Sequence, residues 1–240
     1  MYIKIKYNYI KILCVILILF CFLFSCFILE GEKINAEPTL KNRIIVIDPG
    51  HGGLDGGAVA KDGTSEKNIN LNISLYLKDL LEKSGCKVIM TRKTDVSLHN
   101  DENSSVKEKK RSDLINRRNL ANSSNADLLI SIHLNYFQQE KYSGAQVFFE
   151  RNHKESEIIA SILQQALIEK LDKENKRVAH KLDSKKILFE ELKIPGVIVE
   201  CGFLSNIEES RKLKDKNYQK KVAQAIYTGI CNYFLENNIY

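Results

Sequence analysis

Residues 44–53 read Ile-Ile-Val-Ile-Asp-Pro-Gly-His-Gly-Gly, four β-branched residues followed by an abrupt turn. The β-branched side chains favour a strand. Proline and three glycines around a single histidine then end it, so the stretch predicts a strand whose terminus lifts the His51 ring clear of a sheet. Asp55, Gly56 and Gly57 prolong the loop, and after Glu66 the apolar residues Ile69, Ile73, Leu77 and Leu80 recur at the three-and-four spacing of a helix.

Working outward, the short apolar runs Val88–Met90, Leu128–Ile132, Ala145–Phe149 and Val197–Val199 predict further strands. Ile158, Ile159, Ile162, Leu163, Ala166 and Leu167 form a second helical pattern, and Val222, Ile226, Ile230 and Phe234 form a third. Strands alternating with helices imply a three-layer α/β fold, a mostly parallel sheet with helices on both faces. Lys93 to Lys110, rich in Asn, Ser, Asp and Lys, reads as an exposed loop leading into a helix near Arg111.

Residues 12–29 contain no charge and come after Lys4, Lys6 and Lys11. Eighteen such residues lie at the lower edge of a membrane span and above the usual signal-peptide core of roughly 7 to 15. Residues 1–29 are read first as an uncleaved anchor, with a cleaved signal or a lipoprotein signal as alternatives. The lysines before the segment and Glu30 and Glu32 after it place the rest of the chain outside the cytoplasmic membrane. Residues 30–42 read as a linker and 43–240 as one catalytic domain. Three of the six cysteines lie inside the apolar segment, which leaves Cys86, Cys201 and Cys231 and no disulfide framework. Half of the formal charge of +6 comes from the three N-terminal lysines, so charge does not identify the substrate, and no nucleic-acid partner is expected.

His133 lies just past a second apolar run, in Ser-Ile-His-Leu-Asn at 131–135, and Glu200 ends a third, in Val-Ile-Val-Glu-Cys-Gly-Phe at 197–203. Imidazoles and carboxylates presented from distant strand ends are how a metal hydrolase assembles its site. Glu66, opening a helix behind Thr64 and Ser65, alone would be read as a cap; with two histidines it completes the three-ligand set that catalytic zinc uses, Asp62 being the weaker competitor. A glutamate at the end of an apolar strand needs a partner or a function, and Glu200 suits a general base. Cys201 faces the other side and reads as a buried, inert thiol. Asn135 either orients a substrate carbonyl or satisfies loop backbone. Arg117 either holds a substrate carboxylate or pairs with Asp127 or another acid. His99, His153 and His180 read as surface residues, and Tyr136, Phe137, Phe148 and Phe149 as core before sugar-stacking platforms.

The segments Ile47–Ala58, Glu66, Arg117 with Ala121 and Asn122, Ala126–Asn135, Gly144–Ala145 and Pro195–Asn206 resemble, in order, the zinc-dependent N-acetylmuramoyl-L-alanine amidases of the Amidase_3 type. That resemblance implies a six-stranded sheet, one Zn2+ held by His51, Glu66 and His133, and Glu200 as the catalytic acid and base. It implies hydrolysis of the amide between N-acetylmuramic acid and L-alanine in peptidoglycan. The compact chain is most similar to the CwlD-type sporulation amidases, which remove stem peptides ahead of muramic-δ-lactam formation in spore cortex. The expected setting is the forespore envelope, with an activating envelope protein as a possible requirement. The competing readings are a general wall-remodelling amidase, a zinc hydrolase acting on another bond, and a non-catalytic wall-binding regulator.

Overall fold

The computed structural model describes residues 16–20, 40–150 and 153–237. Residues 16–20 are helical and belong to a unit distinct from Pro38–Tyr240. Most of the expected anchor and residues 30–39 of the expected linker lie outside the described residues. Among the described residues no helix is long and apolar enough to cross a membrane.

The domain runs β1 (Ile44–Pro49), α1 (Glu66–Lys83), β2 (Lys87–Met90), α2 (Val106–Ser123), β3 (Leu128–Asn135), β4 (Gln146–Phe149), α3 (Lys154–Leu171), β5 (His180–Lys181), β6 (Gly196–Phe203), α4 (Ile207–Lys214) and α5 (Lys216–Glu236). One six-stranded sheet has the order β2-β1-β3-β6-β4-β5. β1 pairs in parallel with β2 and β3, and β3 in parallel with β6. β4 runs antiparallel to β6 and carries β5 in parallel. The mostly parallel α/β sheet expected from the pattern is therefore present, with one antiparallel pairing.

Side chains alternate across these strands and so sort into two cores. Ile45, Ile47, Leu128, Ile130, Ile132, Val197 and Val199 pack with the buried stripes of α1, α3 and α5. On the opposite face Val46, Leu129 and Ile198 meet Ala121 of α2 together with Leu188, Phe189 and Leu192. This second cover is a helix plus a turn-rich segment, smaller than the three-helix layer. Towards the carboxyl ends of β1, β3 and β6 its apolar contacts give way to polar ones.

Two local expectations need correction. The polar stretch ending at Lys110 is not loop throughout, because α2 begins at Val106. Ser105 Oγ accepts from the Glu108 backbone N–H while the Glu108 carboxylate accepts from that of Ser105. This capping box satisfies helix-end donors and starts the helix without an apolar signal. The residue patterns also do not indicate β5 or α4. β5 is two residues held by pairing with Phe148 and Phe149, and α4 is eight residues capped by Asn206.

Candidate metal centre and active-site cleft

Strand register assembles the site. His133 on β3 lies beside Glu200 on β6, and Ser131 beside both Asp48 on β1 and Ile198 on β6. Asp48, Ser131, His133 and Glu200 thus share the α2 face near the carboxyl ends of the parallel strands, where open α/β sheets bind ligands. β3 shifts register between His133 and Asn135. The Asn135 side chain accepts from the Tyr136 backbone N–H at 2.8 Å, so it satisfies loop backbone.

His51 comes directly after the β1 turn in the left-handed region, at φ 63°, a costly conformation for a residue with a Cβ. Two buried arginines brace this turn. Arg117 donates to Asp48 Oδ1 at 2.8 Å, to Asp113 Oδ2 at 2.8 Å, to Pro49 O at 2.9 Å and to His51 O at 2.7 Å. Arg92 donates to Pro49 O at 2.8 Å and Gly50 O at 2.9 Å. With 1% of its side chain exposed, Arg117 takes the structural alternative, and its acids are Asp48 and Asp113; Asp127 pairs with Arg43 instead. Arg92 carries no motif signal in the sequence, so its place in the turn is visible only in the fold.

Glu66, in the first turn of α1, crosses to meet both histidines. Its carboxylate lies 3.3 Å from His51 Nε2 and 3.1 Å from His133 Nδ1. It also accepts from the backbone N–H of Ala58 at 2.8 Å and of Leu134 at 2.9 Å, which fixes its orientation. The other ring nitrogen of His51 meets Asp55 at 2.7 Å. A carboxylate on the far side of an imidazole sets its tautomer and raises its basicity, as behind metal-bound histidines generally. One donor atom each from His51, Glu66 and His133 falls within 4.8 Å of the others. Two imidazoles and one carboxylate at this spacing fit zinc and leave room for a fourth ligand.

Glycines make the close approach possible. A Cβ on Gly57, whose φ is 69°, would lie 2.6 Å from Glu66 Oε2 and 2.7 Å from His51 Cδ2, and one on Gly50 would lie 2.3 Å from the His133 ring. The four chemistry-bearing side chains open into a cleft of about 470 Å³, with Lys110, Leu114, Lys186 and Leu188 on its walls.

Charge is unevenly balanced there. Burial alone would lower the His51 pKa, but hydrogen bonds to Asp55 and Glu66 raise it to about 9. Burial would raise Glu66, yet the contacts with His133 and His51 hold it far below the usual carboxylate range. Glu200 moves the other way: burial pushes it up to about 7 against the pull of the two histidines. Its Oε2 is shut off from solvent without a hydrogen-bond partner among the described residues. A carboxyl held in this manner exchanges protons near neutral pH.

Cys201 is buried on the opposite face with its thiol pKa raised well above the ordinary value by burial, which disqualifies it as a nucleophile. His99 contacts Glu102, His153 contacts the Leu192 carbonyl, and His180 is exposed on β5. None belongs to the cluster. Phe149 is buried and Phe148 partly so, in line with core packing, whereas Tyr136 and Phe137 are 51% and 54% exposed and are not core.

Residues 45–232 match the family model described as N-acetylmuramoyl-L-alanine amidase. The chain is 39% identical over 201 residues to the germination-specific N-acetylmuramoyl-L-alanine amidase of Bacillus subtilis, covering 82% of each chain. Among solved structures it is similar to the CwlD amidase from Clostridioides difficile in complex with the GerS lipoprotein, with TM-score 0.78 and 44% identity over 81% of this chain and 100% of that one. An N-acetylmuramoyl-L-alanine amidase from Clostridium difficile 630 gives TM-score 0.68 and 27% identity, over 81% and 97%. Family match, identity and fold agree: this chain belongs to the N-acetylmuramoyl-L-alanine amidases.

Proposed function

We propose that this amidase is a zinc hydrolase that removes stem peptides from peptidoglycan ahead of muramic-δ-lactam formation in spore cortex, acting outside the cytoplasmic membrane. The observation that carries the zinc assignment is the His51, Glu66 and His133 cluster, whose donor atoms lie within 4.8 Å of one another. These three residues would hold the metal. Zinc bound there would polarise the scissile carbonyl and lower the pKa of a water.

The remaining steps belong to the protein. Glu200, next to His133 in the sheet register, takes a proton from the attacking water. It returns that proton to the alanine nitrogen as the carbon–nitrogen bond breaks, leaving the lactyl carboxylate on the sugar and a free amine on the peptide. A carboxyl whose pKa burial has moved to about 7 is matched to both transfers. Asp55 holds the His51 ring, and Arg117 and Arg92 hold the turn that carries it.

The sporulation role is supported by the germination-specific relative from Bacillus subtilis. An activating envelope partner is supported by the similar amidase seen in complex with a lipoprotein. Residues 1–29 are proposed as the membrane anchor on the strength of their uncharged run and flanking lysines. A general wall-remodelling role is the alternative reading.

The decisive experiment digests purified peptidoglycan with wild-type protein and with Glu200→Gln, with zinc content measured in both. The expected result is glycan lacking peptides, free peptides beginning with L-alanine, and a variant that retains zinc while losing about 10²- to 10⁴-fold in rate. Equal peptide release by both proteins would remove Glu200 from the chemistry. Spores lacking the protein should have a cortex without muramic-δ-lactam; unchanged lactam would favour general wall remodelling.

A further inference from the structure

Lys185 and Lys186 line the cleft, and most of the other charges that line it are already engaged. Arg117 is held by Asp48 and Asp113. Lys110 pairs with Asp55, which also holds His51, and Glu66 is shared by both histidines. Lys185 and Lys186 make no ion pair and no side-chain hydrogen bond among the described residues. Lys185 also borders a shallow outer depression with Glu150, Glu190 and Glu191. Lys186 lines the cleft, and its charge acts on Glu200.

These lysines do not sit on loose chain. The Lys186 carbonyl accepts from the backbone N–H of Phe189 at 2.8 Å and of Glu190 at 3.0 Å. Leu188 and Phe189, just beyond them in the chain, are 4% and 1% exposed in the core beneath α2. Arg118 and Asn122 of α2 donate to the carbonyls of Glu190 and Glu191. The turn is thus fastened to helix and core, so the backbone that carries the two exposed lysines is held at the cleft while their flexible stems let the ammonium groups reach into it.

We infer that Lys186, with Lys185 beside it, is a specificity determinant that binds the free α-carboxylate of the stem-peptide residue after L-alanine. The inference rests on the amidase reading of this cleft. The chemistry matches: that residue is a glutamate linked onward through its γ-carboxyl, so its α-carboxyl is free unless amidated. It stands one residue, ~4 Å of chain, beyond the alanine Cα. An unpaired cation on a braced wall selects such an anion with a charge-assisted hydrogen bond, and Asp48, Asp55, Glu66 and Asp113 in the cleft already have partners.

The test compares two soluble muramoyl peptides that differ only in whether this carboxyl is free or amidated. Steady-state kcat and KM are measured for the zinc-loaded wild type and for Lys186→Gln, Lys186→Arg and Lys107→Gln, the last an exposed lysine on α2 outside the cleft lining. Wild type should favour the free acid about 10-fold in kcat/KM, mostly through KM. Lys186→Gln should bring the ratio below about 2, Lys186→Arg should retain most of the preference, and Lys107→Gln all of it. A wild type that does not discriminate, or a Lys186→Gln protein that keeps the full preference, overturns the inference while leaving the amidase assignment intact. Failure of the wild type to cleave either peptide would overturn the amidase reading and this inference with it. Charge reversal by Lys186→Glu gives an independent reading, since it should make the amidated peptide the better substrate.

Discussion

Replacing Arg117 by methionine keeps an unbranched apolar stem and deletes the guanidinium that joins β1, α2 and the His51 turn. In the intact protein that group makes four hydrogen bonds of 2.7–2.9 Å, two to carboxylates and two to backbone carbonyls. Asp48, 1% exposed, would keep only Thr91 and Ser131 as partners. Removing one side of a buried ion pair costs about 3–5 kcal/mol. For a domain of this size that is a fall in Tm on the order of 10 °C. The pH dependence makes the argument sharper. Burial works against ionised Asp48, but Arg117, Thr91 and Ser131 prevail and lower its pKa from 3.8 to about 2. A depressed carboxylate pKa contributes stability above the unfolded value, here about 2 kcal/mol, and loses it as pH falls from about 4 to 2. Without Arg117 burial dominates and raises the Asp48 pKa, so protonation on acidification favours the folded variant. The stability gap between wild type and Arg117→Met should therefore narrow in acid. Urea unfolding at pH 7, 5 and 4 measures both effects, and Asp48→Asn in the Arg117→Met background should recover part of the loss at pH 7. A loss below about 1 kcal/mol at pH 7, or a gap that widens in acid, would refute this account of the buried cluster.

The metal cluster and one helix end give three more tests. Gly57→Ala places a methyl group 2.6 Å from Glu66 Oε2 at a backbone φ of 69°; the protein should fold with less than about half the wild-type zinc and lose at least ~100-fold in activity, and elemental analysis finding full zinc would count against the cradle argument. Asp55→Asn removes the carboxylate behind His51, and zinc competition titrations should show affinity about 10- to 100-fold weaker. Ser105→Ala deletes one half of the capping box of α2 and should cost about 1 kcal/mol in denaturant unfolding with no change in zinc content.

The parts of this protein that depend on local chemistry are legible in its sequence. A β-branched run ending in Asp-Pro-Gly-His-Gly-Gly can only be a strand closing in a tight turn, so β1 and the placement of His51 are readable from one stretch. The helical spacing after Glu66 is equally readable because burial on one face repeats every three to four residues. His133 and Glu200 stand out because each ends an apolar run with a polar residue. Contacts between partners far apart along the chain belong to the fold instead. Arg117 lies 69 residues from Asp48 and Arg92 lies 43 from Pro49, and no periodicity announces either contact. β5 has two residues and exists through its pairing with β4. Tyr136 and Phe137 are apolar in composition yet exposed, because β3 ends at Asn135 and they lie beyond the covered part of the sheet. No motif sets Lys185 and Lys186 apart from the other lysines, and the fold alone places them at the cleft. Local pattern gives each strand end its reactive group; only register, which places His133 beside Glu200, and the long-range ion pairs bring those groups together.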